Sequence, residues 1–375
     1  MAGIYIHIPF CSQACSYCDF HFSTSLKSKN DIISAINLEL KKEQQYLEGD
    51  KIKTIYFGGG TPSLIDNNAI ESILITVQKN FNLSDHVECT IEANPEDIST
   101  NKINNWVSLG FNRISLGVQS FRDKDLYYMN RAHTKEEAVT SIELLKKSKI
   151  NNFNIDLIYG FPLLSNDAWA SNLEQVILLD VPHISCYCLT IEPNTALFHY
   201  IKKKEESPLD PKRGRDHFLI AREMLINNNY HHYEISNFSK KGYRSVHNTN
   251  YWNRTKYLGV GPSAHSFNGK SRRWNIKNNT LYCNKILKNE IIYEEEQLTP
   301  KDIVNEYILT SIRTSAGINL SYVKEQINES DLYRFNNEVQ KLYKSGFIEL
   351  KNEMIYLNEK GMLFSDRISQ NLFLI

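Results

Sequence analysis

The sequence lacks any apolar run near the ~20 residues of a membrane-spanning helix, which disfavours an integral membrane protein. Its first residues, MAGIYIHIPF, lack the basic segment and apolar stretch of a secretory signal peptide. It also lacks a charge excess, since 43 basic side chains balance 43 acidic ones. Because phosphate binding leaves a basic excess, this balance disfavours nucleic acid as the main partner and leaves a local basic patch as the alternative. We therefore expect a cytoplasmic protein.

The composition is that of an ordinary globular protein, with 41% hydrophobic and 23% charged residues. A length of 375 residues is enough for one large domain and one smaller domain. The seven cysteines are better explained in a reducing cytoplasm as metal ligands or small buried side chains than as disulfides.

Short β-rich runs alternate with amphipathic helical patterns from residue 4 to about residue 190. The predicted strands are 4–8, 54–57, 87–91, 113–116, 154–158 and 183–189. The predicted helices lie near 31–47, 67–80, 99–108, 134–147 and 167–179. This repetition predicts an α/β fold with a parallel sheet, an incomplete barrel of about six units that is open on one side. Ligands of such folds bind at the carboxyl ends of the strands.

The later part of the chain changes character twice. Residues 201–215 are rich in charge and proline and predict a surface connection, whereas 247–275 is aromatic and glycine-rich with little periodicity. From Thr299 the order helix, helix, short strands, helix resembles a winged-helix module, and its even mixture of Lys and Glu favours a structural or lid role over DNA binding. We predict a partial barrel over 1–200, a connecting region that completes the core over 201–297, and a helical carboxy-terminal domain over 298–375.

Three cysteines, Cys11, Cys15 and Cys18, follow the first predicted strand directly. Thiolates at this spacing can reach three corners of a 4Fe–4S cubane and leave the fourth iron without a protein ligand. Such an open iron can chelate the amino and carboxylate groups of S-adenosylmethionine. Zinc would need a fourth protein ligand, which only His21 offers nearby, so a zinc knuckle is the alternative metal site.

The segment IYIHIPFCSQACSYCDF, with CxxxCxxC after a first strand, resembles the radical S-adenosylmethionine superfamily. It is most similar to the branch that contains oxygen-independent coproporphyrinogen III oxidase and related heme chaperones. The resemblance extends through most of the chain, including its carboxy-terminal module. It implies a 4Fe–4S cluster on the three cysteines and bound S-adenosylmethionine.

The resemblance also implies which residues contact S-adenosylmethionine. Gly59, Gly60 and Thr61, in FGGGTP after the second strand, match the segment that holds the methionyl amino group. Glu92 matches a carboxylate that meets the polar part of the cofactor, although it could instead be a solvated loop carboxylate. Tyr5 matches a tyrosine beside the same cofactor.

Four further residues have positions with a counterpart in the family. Tyr17 lies inside the cysteine loop, where an aromatic ring can shield the cluster from water. Gln119, Arg131 and Asp156 match residues that bind a second S-adenosylmethionine in the oxidase, so a second site is a hypothesis for this chain. Arg131 and Asp156 could instead pair with each other in a buried salt bridge.

The sequence departs from the oxidase in two places. Phe20 stands where the oxidase has a further cysteine, and the chain begins just before its first strand, without the amino-terminal extension of the oxidase. In contrast, HNTNYW from His247 to Trp252 matches the HNxxYW motif of the heme chaperones and is followed by a similar YLGVGPSAHSF. Histidine is a common heme ligand, and aromatic rings pack on the macrocycle. His247 is therefore the heme candidate, with His265 as a weaker second one.

By resemblance, we expect a heme chaperone that carries heme to client hemoproteins such as respiratory enzymes, peripheral to the inner membrane. The enzymatic alternative is oxygen-independent coproporphyrinogen III oxidation, in which a radical abstracts hydrogen from a propionate side chain. The neutral charge disfavours a third class, the radical modification of nucleic acids. A homodimer stays open, because a cluster site near the amino terminus could be completed across two chains.

The four remaining cysteines are not expected to be ligands. Cys89, Cys186 and Cys188 are predicted to be buried strand residues, with the last two on the same face of one strand. No motif assigns a role to Cys283.

Overall fold

Six parallel strands form the centre of the computed structural model, which describes residues 1–374. These are β1 (Ala2–Ile8), β2 (Ile52–Gly59), β3 (Leu83–Ala93), β4 (Arg113–Gln119), β5 (Phe153–Tyr159) and β6 (His183–Cys188). All six predicted strands are confirmed, and most extend further than predicted. The first and the fifth are buried on both faces, which explains why their sequences are apolar without strict alternation.

Helices connect the successive strands of this sheet. They are α1 (Lys29–Lys42), α2 (Asn67–Asn80), α3 (Thr100–Ser108), α4 (Asp123–Tyr128), α5 (Lys135–Lys147) and α6 (Asn166–Leu178). All except α4 were predicted. Side-chain caps close the first turns of α2, α3, α5 and α6; Thr134, for example, accepts from the Glu137 N–H while the Glu137 carboxylate accepts from the Thr134 N–H. Two short 3₁₀ helices, Pro62–Leu64 and Pro95–Asp97, follow β2 and β3.

Additional strands extend both edges of the sheet. They are β7 (His231–Glu234), β8 (Asn237–Ser239), β9 (Lys256–Val260), β10 (His265–Phe267), β11 (Ser271–Asn275) and β12 (Tyr293–Gln297). The strand order is β12-β11-β10-β9-β1-β2-β3-β4-β5-β6-β8-β7, so the 12-stranded sheet stays open. Of the added strands, β9 pairs in parallel with β1, and the others pair antiparallel. The open α/β partial barrel is therefore confirmed.

The region between β6 and the carboxy-terminal module contains more regular structure than its sequence predicted. Its helices are α7 (Ala196–Lys202), α8 (Pro211–Asn227), α9 (Val246–Trp252) and α10 (Asn279–Leu287). The predicted surface connection is mostly exposed, but α7 ends in it and α8 begins in it at Pro211, after the Asp210 cap. The stretch 247–275 forms most of α9 and the strands β9 to β11, which have only 5, 3 and 5 residues and are too short for a clear period.

The carboxy-terminal module has its own small hydrophobic core. Its elements are α11 (Pro300–Ser311), β13 (Ile318–Asn319), α12 (Leu320–Gln326), α13 (Glu329–Lys344), β14 (Ile348–Lys351), β15 (Met354–Leu357), α14 (Glu359–Met362) and α15 (Ser365–Leu372). The helix predicted to open at Thr299 is present, and Thr299 and Asp302 form its capping box.

Backbone hydrogen bonds join this module to β7, the edge strand of the large sheet. The Ile235 N–H donates to the Arg313 carbonyl at 3.0 Å, and the Ser315 N–H donates to the Tyr233 carbonyl at 2.9 Å. The unpaired edge of β7 is thereby covered. The module is held beside the open side of the sheet, where it contributes to the site described next.

Candidate functional site

The cysteine loop, residues 9–23, leaves β1 at its carboxyl end and folds back on itself. The Cys11 N–H donates to the Ser23 carbonyl at 3.1 Å, which closes the loop. Cys11, Cys15 and Cys18 are half-buried, and none of them forms a disulfide. The loop therefore holds three free thiols at the edge of the sheet where parallel βα folds bind ligands.

Arg131, which follows α4, extends its guanidinium into the cysteine loop. Its Nη1 donates to Cys15 Sγ at 3.2 Å, and its Nη2 donates to Asn94 Oδ1 at 2.7 Å and to the Gly117 carbonyl at 2.9 Å. Its Nε is buried and has no hydrogen-bond partner among residues 1–374. The guanidinium offsets the negative charge of thiolates nearby, and Nε is a buried donor without a protein partner in the described part of the chain.

The geometry does not favour the zinc alternative. Among the described residues, no group of three or more His, Cys, Asp or Glu side chains is placed to hold a single metal ion. His21, the fourth ligand of that alternative, is hydrogen-bonded through Nε2 to Asn279 Oδ1 at 2.7 Å. A structural zinc needs all four ligands around one ion. Each thiolate of a cubane binds a different iron, so the thiols need not converge on one point.

The glycines at the end of β2 lie against the cysteine loop. Gly59 has φ of +111°, a conformation that strains other residues. A Cβ on Gly60 would lie 2.5 Å from the Phe10 carbonyl oxygen. The Thr61 N–H donates to that same oxygen at 2.6 Å. These residues are therefore needed for close packing of the loop, and their contact with S-adenosylmethionine stays a prediction.

Glu92, near the end of β3, points towards β2. Its Oε1 accepts from the Tyr56 hydroxyl at 2.8 Å, and its Oε2 accepts from the Gly59 N–H at 3.2 Å. Burial raises the pKa of Glu92 to about 7, and the nearby Asp156 charge adds to the rise. Glu92 is therefore not a freely solvated loop carboxylate, which was the alternative. A cationic ligand group beside it would lower its pKa and pair with the carboxylate.

The three residues of the hypothetical second cofactor site fall into two groups. Gln119 and Arg131 converge over Gly117, where an added Cβ would lie 3.0 Å from Gln119 Nε2 and 3.3 Å from Arg131 Nη2. Asp156 instead accepts from Asn154 Nδ2 at 2.8 Å, and burial raises its pKa. Arg131 forms its hydrogen bonds elsewhere, so the alternative of a buried Arg131–Asp156 salt bridge is not formed.

Of the two predicted tyrosines, Tyr5 lies on β1 and Tyr17 lies within the cysteine loop. The Tyr5 hydroxyl donates to His7 Nδ1 at 3.2 Å, because His7 Nε2 carries the proton that it donates to the His21 carbonyl at 2.9 Å. Tyr17 packs against the main hydrophobic core, and burial raises the pKa of its hydroxyl. Both positions are compatible with their predicted roles, which no contact in the structure tests.

His247, the predicted heme ligand, is buried at the start of α9 and only 2% exposed. Its Nδ1 lies 2.8 Å from Thr54 Oγ1, and its Nε2 lies 2.9 Å from the Tyr251 hydroxyl. Burial lowers its pKa to about 3, so the ring is neutral and has a single lone pair. Both ring nitrogens already face a hydroxyl group, and this geometry speaks against iron ligation by His247.

A cavity of about 780 Å³ opens beside the cysteine loop, within the size range of cofactor pockets. Its lining comes from β1, β6, the cysteine loop, the added strands, α9, α11 and the segments next to them. The aromatic lining residues are Tyr5, Phe20, Tyr187, Tyr251, Trp252, Tyr257 and Phe267. The basic lining residues are Arg254, Arg272, Lys277 and Arg313, and the histidines are His7, His21 and His265.

The basic residues of this cavity were missed by sequence reasoning. They lie on separate elements and belong to no local motif, so only the tertiary fold brings them together. The aromatic character of 247–275 was the one available signal, since Tyr251, Trp252, Tyr257 and Phe267 all come from that stretch.

The prediction for the other cysteines is correct at two of three positions. Cys89 and Cys186 are buried, as predicted, and so is Cys283. Cys188 is exposed, because it is the last residue of β6, where the strand emerges from the core. The prediction that Cys188 is buried is therefore wrong.

Comparison with known proteins assigns the chain to a family. The model of the Radical SAM superfamily matches residues 5–175, and the model of the HemN C-terminal domain matches residues 298–364. The heme chaperone HemW of Haemophilus influenzae is 32% identical over 385 residues, which cover 99% of this chain and 97% of that protein. The chain belongs to the HemW family. HemW of Escherichia coli is 38% identical over 268 residues, 70% of this chain and 69% of that protein.

A solved structure shares the fold of this HemW-family chain. Coproporphyrinogen III oxidase (HemN) from Escherichia coli, described as a radical SAM enzyme, superposes with a TM-score of 0.86. The match covers 99% of this chain and 90% of the oxidase at 21% sequence identity, so it establishes a common fold. The resemblance predicted from the cysteine motif is confirmed. No helix within residues 1–374 is long and apolar enough to cross a membrane.

Proposed function

We propose that this chain is a heme chaperone, which binds heme as cargo and transfers it to client hemoproteins such as membrane-bound respiratory enzymes. HemW relatives that align over nearly the whole chain have the name heme chaperone, which supports the proposal. The observation that carries it is the cavity of about 780 Å³, with its aromatic walls and basic side chains beside the cysteine loop.

The heme fits the chemistry of the cavity lining. Its macrocycle is flat and apolar on both faces, so it packs on aromatic rings such as Tyr257 and Trp252. Its two propionates are anionic, and the lining supplies positive charge from Lys277 and from the pair Arg254 and Arg272, which share one carboxylate partner, Glu306. Phe20, which is 72% exposed and lines the cavity, adds an apolar surface next to the cluster ligands.

Cys11, Cys15 and Cys18 would hold a 4Fe–4S cluster. The Arg131 guanidinium beside Cys15 supports this assignment. When bound, the cluster supplies an open iron that chelates S-adenosylmethionine and an electron that can cleave its sulfonium.

Several residues of the chain would bind and orient S-adenosylmethionine. Glu92 would accept from its amino group, and Gly59, Gly60 and Thr61 would let the backbone approach it, with Tyr5 alongside. The buried carboxylate with a raised pKa supports a cationic partner for Glu92. Gln119 and Arg131, whose Nε has no partner, would serve a second molecule, whereas Asp156 would contribute through Asn154.

The test compares two tetrapyrroles on one preparation of anaerobically reconstituted protein. With heme, we expect a Soret band that elutes with the protein in gel filtration. With coproporphyrinogen, S-adenosylmethionine and a reductant, we expect no protoporphyrinogen. A protein that releases all heme on the column, or that converts coproporphyrinogen, is not the carrier proposed.

A further inference from the structure

Three histidines line the cavity, and two of them have ring nitrogens that are already engaged. His7 donates from Nε2 to the His21 carbonyl and accepts at Nδ1 from the Tyr5 hydroxyl. His21 is bonded through Nε2 to Asn279, which leaves only Nδ1, the nitrogen next to its own main chain. Neither ring presents a free Nε2 to the cavity.

His265 differs from both of these histidines. Its side chain is exposed on β10, lines the cavity, and has no hydrogen-bond partner at either ring nitrogen within residues 1–374. Partial burial, and then the positive charge of Arg272, lower its pKa below the ordinary value, which favours the neutral imidazole. Iron binds the neutral imidazole.

We propose that His265 is the axial ligand of the heme iron. His247, the histidine of the HNTNYW motif, then has a structural role beside the cavity, through its contacts with Thr54 and Tyr251. This assignment rests on the proposed function, because it names the residue by which the chain would hold its cargo. The free lone pair of His265 contrasts with that of His247, which lies between the Thr54 and Tyr251 hydroxyls.

Contacts between β9 and β10 fix the position of the His265 backbone. The Gly259 N–H on β9 donates to Ser266 Oγ at 2.9 Å, which ties the neighbouring residue to β9. A Cβ on Gly259 would lie 2.0 Å from the His265 carbonyl oxygen, so the two strands are in close contact. His265 on β10 also lies opposite Trp274 in the antiparallel pairing of β10 with β11. A ligand on such packed strands is preorganised for a metal.

The positive charge of the cavity lining suits the propionates of the same cargo. Lys277 has no carboxylate partner within residues 1–374, and its Nζ donates only to the Asp19 carbonyl at 3.3 Å. Arg254 and Arg272 both pair with the single carboxylate of Glu306, so these three side chains keep one net positive charge at the cavity. The cavity therefore offers one open imidazole and cationic donors, which is the pattern that a heme requires.

The test replaces His265 in the full chain and measures binding of ferric heme by absorption and electron paramagnetic resonance. We expect the wild-type protein to give the spectrum of imidazole-ligated heme. The His265→Gly variant should lack this spectrum and bind heme with roughly tenfold lower affinity. Free imidazole should restore the spectrum of His265→Gly, which shows that the variant is folded. His265→Met should give a spectrum of changed ligation, and His86→Gly, at an exposed position on β3, is the matched control.

The outcomes separate this assignment from the proposed function. If wild-type protein binds heme and His265→Gly keeps the wild-type spectrum and affinity, the assignment is overturned and the carrier function stands. It is equally overturned if His247→Gly or His21→Gly loses the iron–imidazole signature and free imidazole restores it there. If the wild-type protein binds no heme, both proposals fail.

Discussion

The cysteine loop and the adjoining cavity share one edge of the sheet but are constructed in opposite ways. The loop is a single segment, 9–23, closed by its own backbone hydrogen bonds. The cavity is assembled from the loop, β1, β6, α9, the strands that extend the sheet, and α11 of the carboxy-terminal module. The first site can therefore be recognised from local sequence, whereas the second exists only after the chain has folded.

The HNTNYW motif illustrates this difference within seven residues of helix α9. Tyr251 and Trp252 line the cavity, but the His247 ring is buried between Thr54 Oγ1 and the Tyr251 hydroxyl and is not part of the lining. The motif marks the correct part of the molecule without revealing which of its side chains meets the ligand. His265, outside the motif, has the exposed imidazole.

The largest expected effect is the loss of the cluster from the cysteine loop while the cavity still binds heme. Cys18→Ala should abolish cluster assembly, because only two thiolates would remain in the loop. Iron content and visible absorbance after anaerobic reconstitution measure this loss. Ferric heme binding should persist, since the cavity residues are unchanged. Cys188→Ala, at an exposed cysteine outside the loop, should keep its cluster, and a joint loss of cluster and heme in Cys18→Ala would contradict the separation.

Removal of the carboxylate charge of Glu92 tests the S-adenosylmethionine site without changing the cavity. Glu92→Gln should weaken S-adenosylmethionine binding by roughly 10- to 100-fold, the worth of a hydrogen bond to a charged group. Isothermal titration with the reconstituted protein measures the change, and heme affinity should stay the same. Glu136→Gln, on the exposed surface of α5, is the control. Equal affinities for Glu92→Gln and wild type would remove Glu92 from the site.

The stability of the cavity side should depend on pH through Glu39. This carboxylate, buried on α1, accepts from the Gly261 N–H and from the side chains of Asn275 and Tyr282. Burial raises its pKa to about 7, and the Glu43 charge adds to the rise. Its protonated form is favoured in the folded state, so its stabilising effect is present below its unfolded pKa of 4.5 and is lost as pH rises through about 7.

Urea unfolding at pH 5 and pH 8 tests this dependence. Glu39→Gln should remove roughly 2 kcal/mol of the decrease in unfolding free energy between these pH values. Glu71→Gln, exposed on α2, should keep the wild-type dependence. If the unfolding free energies of Glu39→Gln and wild type decrease equally between pH 5 and pH 8, the Glu39 carboxyl group does not titrate in this range.

The smallest expected effect concerns the charge of Lys277 at the cavity. Lys277→Glu should weaken heme binding by roughly threefold, since an exposed ion pair contributes less than about 1 kcal/mol. Added salt should reduce the difference. Lys288→Glu, exposed beyond the end of α10 and outside the cavity lining, provides the same charge change as a control. If both variants bind heme equally, the propionates do not contact Lys277.

Local signals explain which parts of the fold could be predicted. Helix α2 was predicted with its correct bounds because Asp66 caps its first turn and an apolar face repeats along it. Helix α4 was missed, since six residues give no measurable period. The pairing of β9 with β1 was also beyond prediction, because it joins segments more than 250 residues apart in sequence.

The candidate site shows the same limit. The cysteines and FGGGTP were evident from the sequence. The need for glycine at position 60 was not, because it arises from close contact with the Phe10 backbone in the fold. Arg131 was identified from a family position, and its contact with Cys15 required the fold. Basic residues of the cavity have no spacing in common and appear in no motif.

The most direct measurement of the central claim follows both tetrapyrroles through one anaerobic incubation with the reconstituted protein, S-adenosylmethionine and a reductant. The account predicts that heme is recovered intact with the protein after gel filtration, and that coproporphyrinogen is recovered unchanged. Formation of protoporphyrinogen, with heme eluting free of the protein, would contradict it.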